Sequence, residues 1–335
     1  MMGIIDDFQY EYFSSVTQQK IEWLWYPYIP YGKLTILQGD PGEGKSTFML
    51  NIAALLTRGK NMPDGFRVQE PQHVVYQTAE DNIADTVKPR LIQAGADCDK
   101  VAYIVENDNP LTLEDIRIEK IIEQTGARLF ILDPLQGYLS QDSDMVSAGR
   151  MRSQLKRLVN VAAKYNCAVV IVGHMNKASG EKNLYRGLGT IDIAAIARSV
   201  LMISRDKENP SIRYMFPVKS SLAPEGAAIA FEFHKVLGFC WLGPTDIDKN
   251  VLMSNFNPEN KKALAVRTIN DLLERQPLSS KSIARKLSLM NISERTINLA
   301  KKELGIISFK KEGTWYWCLP DQDRMTESEK QKNGN

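Results

Sequence analysis

A chain of 335 residues is long enough for about two domains, one with a large core and one small. A net charge of +2 excludes a globally basic nucleic-acid coat, so any such surface has to be local. Cys98, Cys167, Cys240 and Cys318 are far apart and form no Cys-x-x-Cys pair, which argues against a zinc site or disulfide framework and fits a reducing cytoplasm. Met1 to Ser15 carries Asp6, Asp7 and Glu11 where a leader has basic and apolar regions, so no signal peptide is expected. Arg198 interrupts the most apolar window, Ile191 to Ile203, so no membrane span is expected either.

Ile21 to Pro30 is dense in Trp23, Trp25, Tyr26 and Tyr28. It reads as a lead-in packed on the core in preference to a base-stacking platform. Leu34 to Leu37 is a short buried strand, and Thr47 to Arg58 has helical apolar spacing at Phe48, Ile52, Leu55 and Leu56. Between them lies Gly39-Asp40-Pro41-Gly42-Glu43-Gly44-Lys45-Ser46-Thr47, a phosphate-binding loop in the strand-loop-helix context it needs. The glycines allow a nest of N–H groups at a helix N-terminus; Lys45 then faces the β- and γ-phosphates of ATP, and the Ser46 hydroxyl is placed for Mg²⁺.

Val74 to Ala79 is the next strand and ends on Glu80-Asp81; Thr86 to Ala94 reads as a helix, Val101 to Val105 as a strand, and Leu113 to Thr125 as an amphipathic helix stopped by Gly126. Leu129 to Asp133 is an apolar strand delivering one carboxylate to the sheet edge. Arg150 to Tyr165 is helical, and Ala168 to Gly173 is a buried strand ending on His174. Strands alternating with helices imply an α/β core with a mainly parallel sheet. Ser199 to Ser204, Arg213 to Val218 and Ile229 to Phe233 extend it as partly antiparallel strands.

Asp133 has the place of a Walker B acid holding Mg²⁺, with a helix cap before Pro134 as the plain alternative. Glu80 is favoured over Asp81 as the carboxylate that orients the attacking water. His174, at the same edge, is either structural or a sensor of the γ-phosphate. Asn176-Lys177, Gly180, Lys182, Tyr185, Arg186, Gly187 and Gly189 form a basic glycine-rich loop that suits single-stranded nucleic acid, or is an ordinary solvated loop.

Residues 1–243 are therefore expected to form an ATPase domain with its lead-in, and 244–262, rich in Pro and Asn, a linker. Residues 263–320 contain three helical stretches (Ala263 to Arg275, Ser280 to Leu287, Ser293 to Leu304) and a hairpin around Lys310-Lys311-Glu312-Gly313-Thr314, the plan of a winged helix-turn-helix. Lys261 to Pro320 holds twelve Lys/Arg against five Asp/Glu, about +7 in a nearly neutral chain. Arg295, Asn298, Lys301 and Lys302 on the third helix and Lys310 and Lys311 at the wing suit duplex DNA, although many winged helices serve only protein contacts. The polar tail 321–335 is expected to be disordered.

Gly39 to Thr47, Tyr76 to Asp81, Phe130 to Asp133 and Val172 to Lys177, in this order, resemble the motifs of RecA-like P-loop ATPases, closest to RepA-type replication helicases of plasmids, phages and mobile elements. The resemblance covers roughly Trp23 to Leu242. It implies Lys45 and Ser46 at the phosphates and Mg²⁺, Glu80 as base, Asp133 as Walker B acid, His174 as sensor, and a homo-oligomeric ring of six subunits with DNA in its channel. In the DnaB-like branch a late strand presents a Lys and, two residues on, an Arg that reaches the neighbour's nucleotide. Here Lys219-Ser220-Ser221 keeps the Lys and has Ser in the Arg position, which leaves Lys219, then Arg198 or Arg205, as the candidate cation. The expected function is an ATP-hydrolysing DNA-binding protein of helicase type. An ATP-set recruitment factor and a phosphotransferase are the alternatives, and the winged helix argues against the last.

Overall fold

The computed structural model describes the chain except residues 1, 6–7, 140–147, 175–190, 254–257, 275, 291, 312 and 321–335. A hairpin of β1 (Met2–Ile5) and β2 (Phe8–Glu11) comes first, followed by the short pair β3 (Trp23–Trp25) and β4 (Ile29–Pro30). Next are β5 (Leu34–Gly39), α1 (Lys45–Thr57), β6 (Val74–Thr78), α2 (Lys88–Gln93), β7 (Val101–Ala102) and α3 (Ile116–Thr125). Then follow β8 (Leu129–Asp133), α4 (Ala148–Lys164), β9 (Ala168–His174), α5 (Ile191–Ile196) and β10 (Ser199–Arg205). The core closes with β11 (Ile212–Ser220), β12 (Ala228–His234), β13 (Gly238–Thr245) and α6 (Lys249–Met253).

Strands β5 to β13 form a nine-stranded sheet in the order β13-β12-β11-β10-β5-β9-β8-β6-β7. From β10 to β7 neighbours run parallel; from β10 through β13 they run antiparallel. Parallel strands here are buried on both faces, so they read as unbroken apolar runs. Their side chains still alternate: Leu129, Ile131, Val170 and Val172 join one core layer with Phe48 and Leu91, whereas Phe130, Leu132, Val169 and Ile171 join the other with Ile118 and Leu155. The helices thus cover both faces, an α/β fold as expected. Trp25 and Tyr28 are buried in the first layer, beside Phe48, so these two aromatics of the lead-in are core packing, whereas Trp23 is half-buried and Tyr26 exposed.

Three local expectations differ from the structure. The strand read over Val101 to Val105 is two residues long, because the buried Gln77 side chain occupies the backbone of Ile104, accepting from its N–H at 2.8 Å and donating to its carbonyl at 3.2 Å. The helix read from Thr86 begins earlier, as a π turn over Ile83–Val87 whose N–H groups are capped by Asn82. The stretch 244–262 is largely regular: β13 runs into it, Leu252 of α6 is buried with Met202, Phe216 and Ala228, and a further helix starts at Pro258, a residue that suits a first helical turn.

That helix, α7 (Pro258–Leu273), is followed by β14 (Leu278–Ser279), α8 (Ser280–Leu289), α9 (Glu294–Glu303), β15 (Ile307–Lys311) and β16 (Thr314–Cys318). Ser279 and Ser293 cap α8 and α9, and Gly305 turns left-handed after α9 at φ 62°. The strands make a separate sheet, β14-β16-β15. Ala265, Ile269, Leu287, Ile297 and Trp317 form its own core. The tail 321–335 lies outside the described residues. No helix among the described residues is long and apolar enough to cross a membrane.

Candidate functional site

The C-terminal ends of β5, β6, β8 and β9 lie side by side, with Gly39 opposite His174 and Thr78 opposite Asp133. The loop from Gly39 to Gly44 therefore opens over the edge at which the sheet's carboxylates emerge. Gly42 and Gly44 are both left-handed, at φ 78° and 84°, and a Cβ on Gly44 would meet the Phe233 ring at 2.6 Å. α1 starts at Lys45, which is buried; its Nζ donates to the carbonyls of Gly39 at 2.8 Å and Asp40 at 2.9 Å. Burial pushes the Lys45 ammonium below its ordinary pKa, while Asp133, Asp40, Glu43 and Glu80 act in the opposite direction.

Asp133 is 4% exposed and accepts a 2.6 Å hydrogen bond from the Tyr76 hydroxyl on the neighbouring strand. Ser46 also hydrogen-bonds it. Burial raises the Asp133 carboxyl above the usual range, against the lowering effects of Tyr76, Ser46 and Lys45, with the Asp81 charge adding to the rise. A serine hydroxyl beside a carboxylate is a hard-oxygen donor pair that suits Mg²⁺, and the left-handed glycine loop with its buried ammonium suits a polyphosphate. The residues present fit Mg-ATP.

Glu80 is exposed and its charge acts on Lys45, while Asp81 is held by Arg90 at 2.8 Å. The Thr78 hydroxyl accepts from the N–H groups of both acids, at 3.4 and 3.2 Å, and fixes the turn on which they sit. The His174 backbone ends β9 at this edge; its side chain, and Lys177, Lys182 and Arg186, lie outside the described residues. Lys219 is at the far end of β11, where its Nζ donates to the carbonyls of Ala194 at 2.8 Å, Ala197 at 2.9 Å and Ala195 at 3.4 Å, closing the end of α5. Burial, then the Arg198 charge, lowers its pKa.

Two contacts depend on the fold and are not visible in the residues alone. Tyr76 pairs with Asp133 because β6 lies beside β8, and Arg205, expected only as a candidate cation for the γ-phosphate, meets the phosphate loop. Arg205, at the end of β10, donates to the Gly42 carbonyl at 3.1 Å and sits 3.5 Å from Glu43, so it braces the phosphate loop within the same chain. Its neighbour Arg213 is buried, with its guanidinium 4.6 Å from the Phe233 ring centroid.

In the C-terminal unit, Arg295, Asn298 and Lys302 are exposed on α9, and Lys301 lies 4.8 Å over the Trp317 ring. Lys310 and Lys311 are exposed at the end of β15, across from Trp315, which is also exposed.

The family model of the AAA domain matches residues 7–180, just over half of the chain. Over 148 residues, 44% of its length, the chain is 28% identical to the DNA repair protein RadA of Streptococcus pneumoniae and 30% identical to that of Streptococcus pyogenes serotype M3. It spans only 31% and 28% of the length of these two relatives. Among solved structures it is similar to the RadB recombinase, at 17% identity and a TM-score of 0.46 over 63% of this chain and 91% of that one. It is also similar to the KaiC-like protein PH0186 from Pyrococcus horikoshii, at 17% identity and a TM-score of 0.47 over 64% and 90%. With the phosphate loop, its buried partner acid and the strand that carries it all inside the matched span, the chain belongs to the AAA domain family.

Proposed function

We propose that this protein is a DNA-binding ATPase of helicase type, related to the RepA-type replication ATPases of mobile elements and active as a homo-oligomeric ring of six subunits. The observation that carries the reading is the convergence of Lys45, Ser46 and Asp133 at one sheet edge with Glu80 beside them, in a chain that carries a separate basic unit. Lys45 holds the phosphates and Glu80 orients the attacking water, with Asp81 kept from that task by Arg90. Ser46 and Asp133 hold Mg²⁺, which offsets charge on the phosphates when bound. His174 senses the γ-phosphate and passes its loss to the basic loop with Lys177, Lys182 and Arg186, which contacts single strands.

Residues 1–243 act as the ATPase domain, and residues 263–320 as a winged helix-turn-helix that takes duplex DNA through Arg295, Lys301, Lys302, Lys310 and Lys311. The similarity to proteins named for DNA repair supports DNA as the partner. The test is ATP turnover measured with and without single-stranded DNA, alongside strand separation on a forked duplex. Stimulated turnover with unwinding is expected.

A second reading, an ATP-set recruitment factor without unwinding, is favoured by one specific observation. Ser221 stands at the arginine position of the late strand, and the ammonium of Lys219 is engaged with three carbonyls of its own chain. DNA binding that follows nucleotide state, with turnover indifferent to single strands and no unwinding, would decide for it.

A further inference from the structure

The hairpin that closes the C-terminal unit carries three rings on β16, and two of them are engaged. Trp317 is 8% exposed and belongs to the core of the unit, while Tyr316 stacks on Phe309 of β15, ring centroids 5.8 Å apart and planes 19° from parallel. Trp315 is 54% exposed and has no ring partner among the described residues. An indole left this open puts a large apolar surface into water, and neither the core nor the hairpin register requires it there.

The strand register supplies its neighbours. Trp315 lies directly across from Lys310, and Thr314 across from Lys311, so the indole and the Lys310 side chain rise from the same face of the hairpin. Trp317, two residues on, shares that face about 7 Å nearer the core, and the Lys301 ammonium of α9 lies 4.8 Å from the centre of its ring. Asn298, Lys301 and Lys302 stand one turn apart on α9. One face therefore leads from the basic side of α9, through Lys301 and Trp317, to an open indole with a cation beside it. Glu312 is the one acid in the hairpin sequence, against Lys310 and Lys311.

Duplex DNA offers such a ring a partner where its stack ends. Inside a continuous duplex both faces of every base pair are covered, and inserting a side chain means unstacking a step. At a fork or gap the last pair has one bare face, and an indole covers it without taking anything apart. Lys310, on the same face, then supplies charge for the phosphate of that nucleotide. We infer that Trp315 is a base-stacking residue, and that the C-terminal unit takes duplex DNA at a junction with single strands, the indole resting on the last base pair. The inference deepens the duplex-binding reading of residues 263–320 and rests on it, adding which duplex is preferred and the side chain that selects it.

The test uses the full chain and two labelled DNAs of equal duplex length, read by fluorescence anisotropy. One is a dumbbell closed by a loop at each end. The other is a fork with arms of about three nucleotides, too short to fill a single-strand site, and with 2-aminopurine in its last base pair. Wild type should bind the fork about tenfold more tightly than the dumbbell and quench the 2-aminopurine as the indole stacks on it. Trp315→Ala should bind the dumbbell as wild type does, bring the fork to within about twofold of it, and lose the quench. Trp315→Phe should keep most of the preference, because a smaller ring still stacks. The position is exposed, so both variants should melt with wild type. A fork preference and quench that survive Trp315→Ala overturn the inference, and so does wild type that binds fork and dumbbell equally; in both cases the duplex-binding reading stands. Wild type that binds neither DNA overturns that reading and the inference with it.

Discussion

Replacing Tyr76 with Phe removes one hydroxyl from the core and leaves its packing nearly unchanged. The hydroxyl donates to Asp133 at 2.6 Å, between a side chain 1% exposed and one 4% exposed. A hydrogen bond to a charged, buried acceptor contributes about 1.5–3 kcal/mol, which is about one to two pH units of carboxylate affinity for its proton. Asp133 already titrates above the ordinary carboxylate range because burial outweighs its donors. Without Tyr76 it rises further. An acid whose folded pKa is raised makes folding less favourable as pH climbs from the unfolded value through the folded one. Tyr76→Phe should therefore be destabilised by about 1.5–3 kcal/mol at neutral pH, and the loss should vanish below both pKa values. Binding of Mg-nucleotide needs the ionised carboxylate, so its acid limb should move up by about one to two pH units in the variant. Titrating a fluorescent ATP analogue with Mg²⁺ at each pH, with urea melts in parallel, reads both effects. An acid limb unmoved from wild type would show that Tyr76 does not set the charge of Asp133 and would refute the assignment of Asp133 as a metal-holding acid tuned by its neighbour.

Four further outcomes follow from the same geometry. Lys45→Ala should lose most nucleotide affinity in equilibrium binding, because the buried ammonium of the site is removed while its neutral N–H donors remain. Glu80→Gln should bind Mg-ATP as wild type does but turn over orders of magnitude more slowly; an unchanged kcat would transfer the role to Asp81. Deleting residues 258–335 should leave a folded, ATP-binding core, since Leu252 and the sheet keep their own packing, while duplex affinity falls and its salt dependence flattens. ATPase rate per subunit should rise with protein concentration, and mixing Lys219→Ala with Lys45→Ala protein should restore some turnover if Lys219 serves a neighbouring site; a dilution-independent rate without rescue would place the whole site in one chain.

The parts of the fold that were legible are those in which local pattern and burial coincide. Leu129 to Asp133 and Ala168 to Gly173 are apolar on every face because both faces of their strands are covered, and each betrays its function only by the polar residue at its end. The phosphate loop was legible because its backbone demands glycine at fixed places. What stayed hidden depends on strand order or on distance along the chain. Tyr76 meets Asp133 across 57 residues, and Arg205 meets Gly42 across 163. The end of β7 was hidden for a different reason: a glutamine side chain takes over the backbone of Ile104, and no periodicity announces that substitution. The helix at Lys249–Met253 lies in the stretch expected as linker because five residues are too few for a periodic signal; Leu252, buried, anchors it.

The cations bear on how fast such a site can work. A phosphoryl-transfer site needs positive charge where the γ-phosphate oxygens accumulate negative charge. Arg205 is near the loop but is committed to its outer carbonyl at Gly42 and to Glu43, which suits bracing the loop better than meeting the γ-phosphate. Lys219 is on the late strand expected to face a neighbour, yet it closes the end of α5 with three charge-assisted hydrogen bonds. Moving it to a neighbouring nucleotide gives those up, at about 1.5–3 kcal/mol each when buried and less here, where the side chain is partly exposed. The residual cost slows turnover unless a bound neighbour or DNA rearranges α5. Slow basal hydrolysis is the behaviour this arrangement favours, and it follows from how Lys219 is held rather than from its mere presence in the sequence.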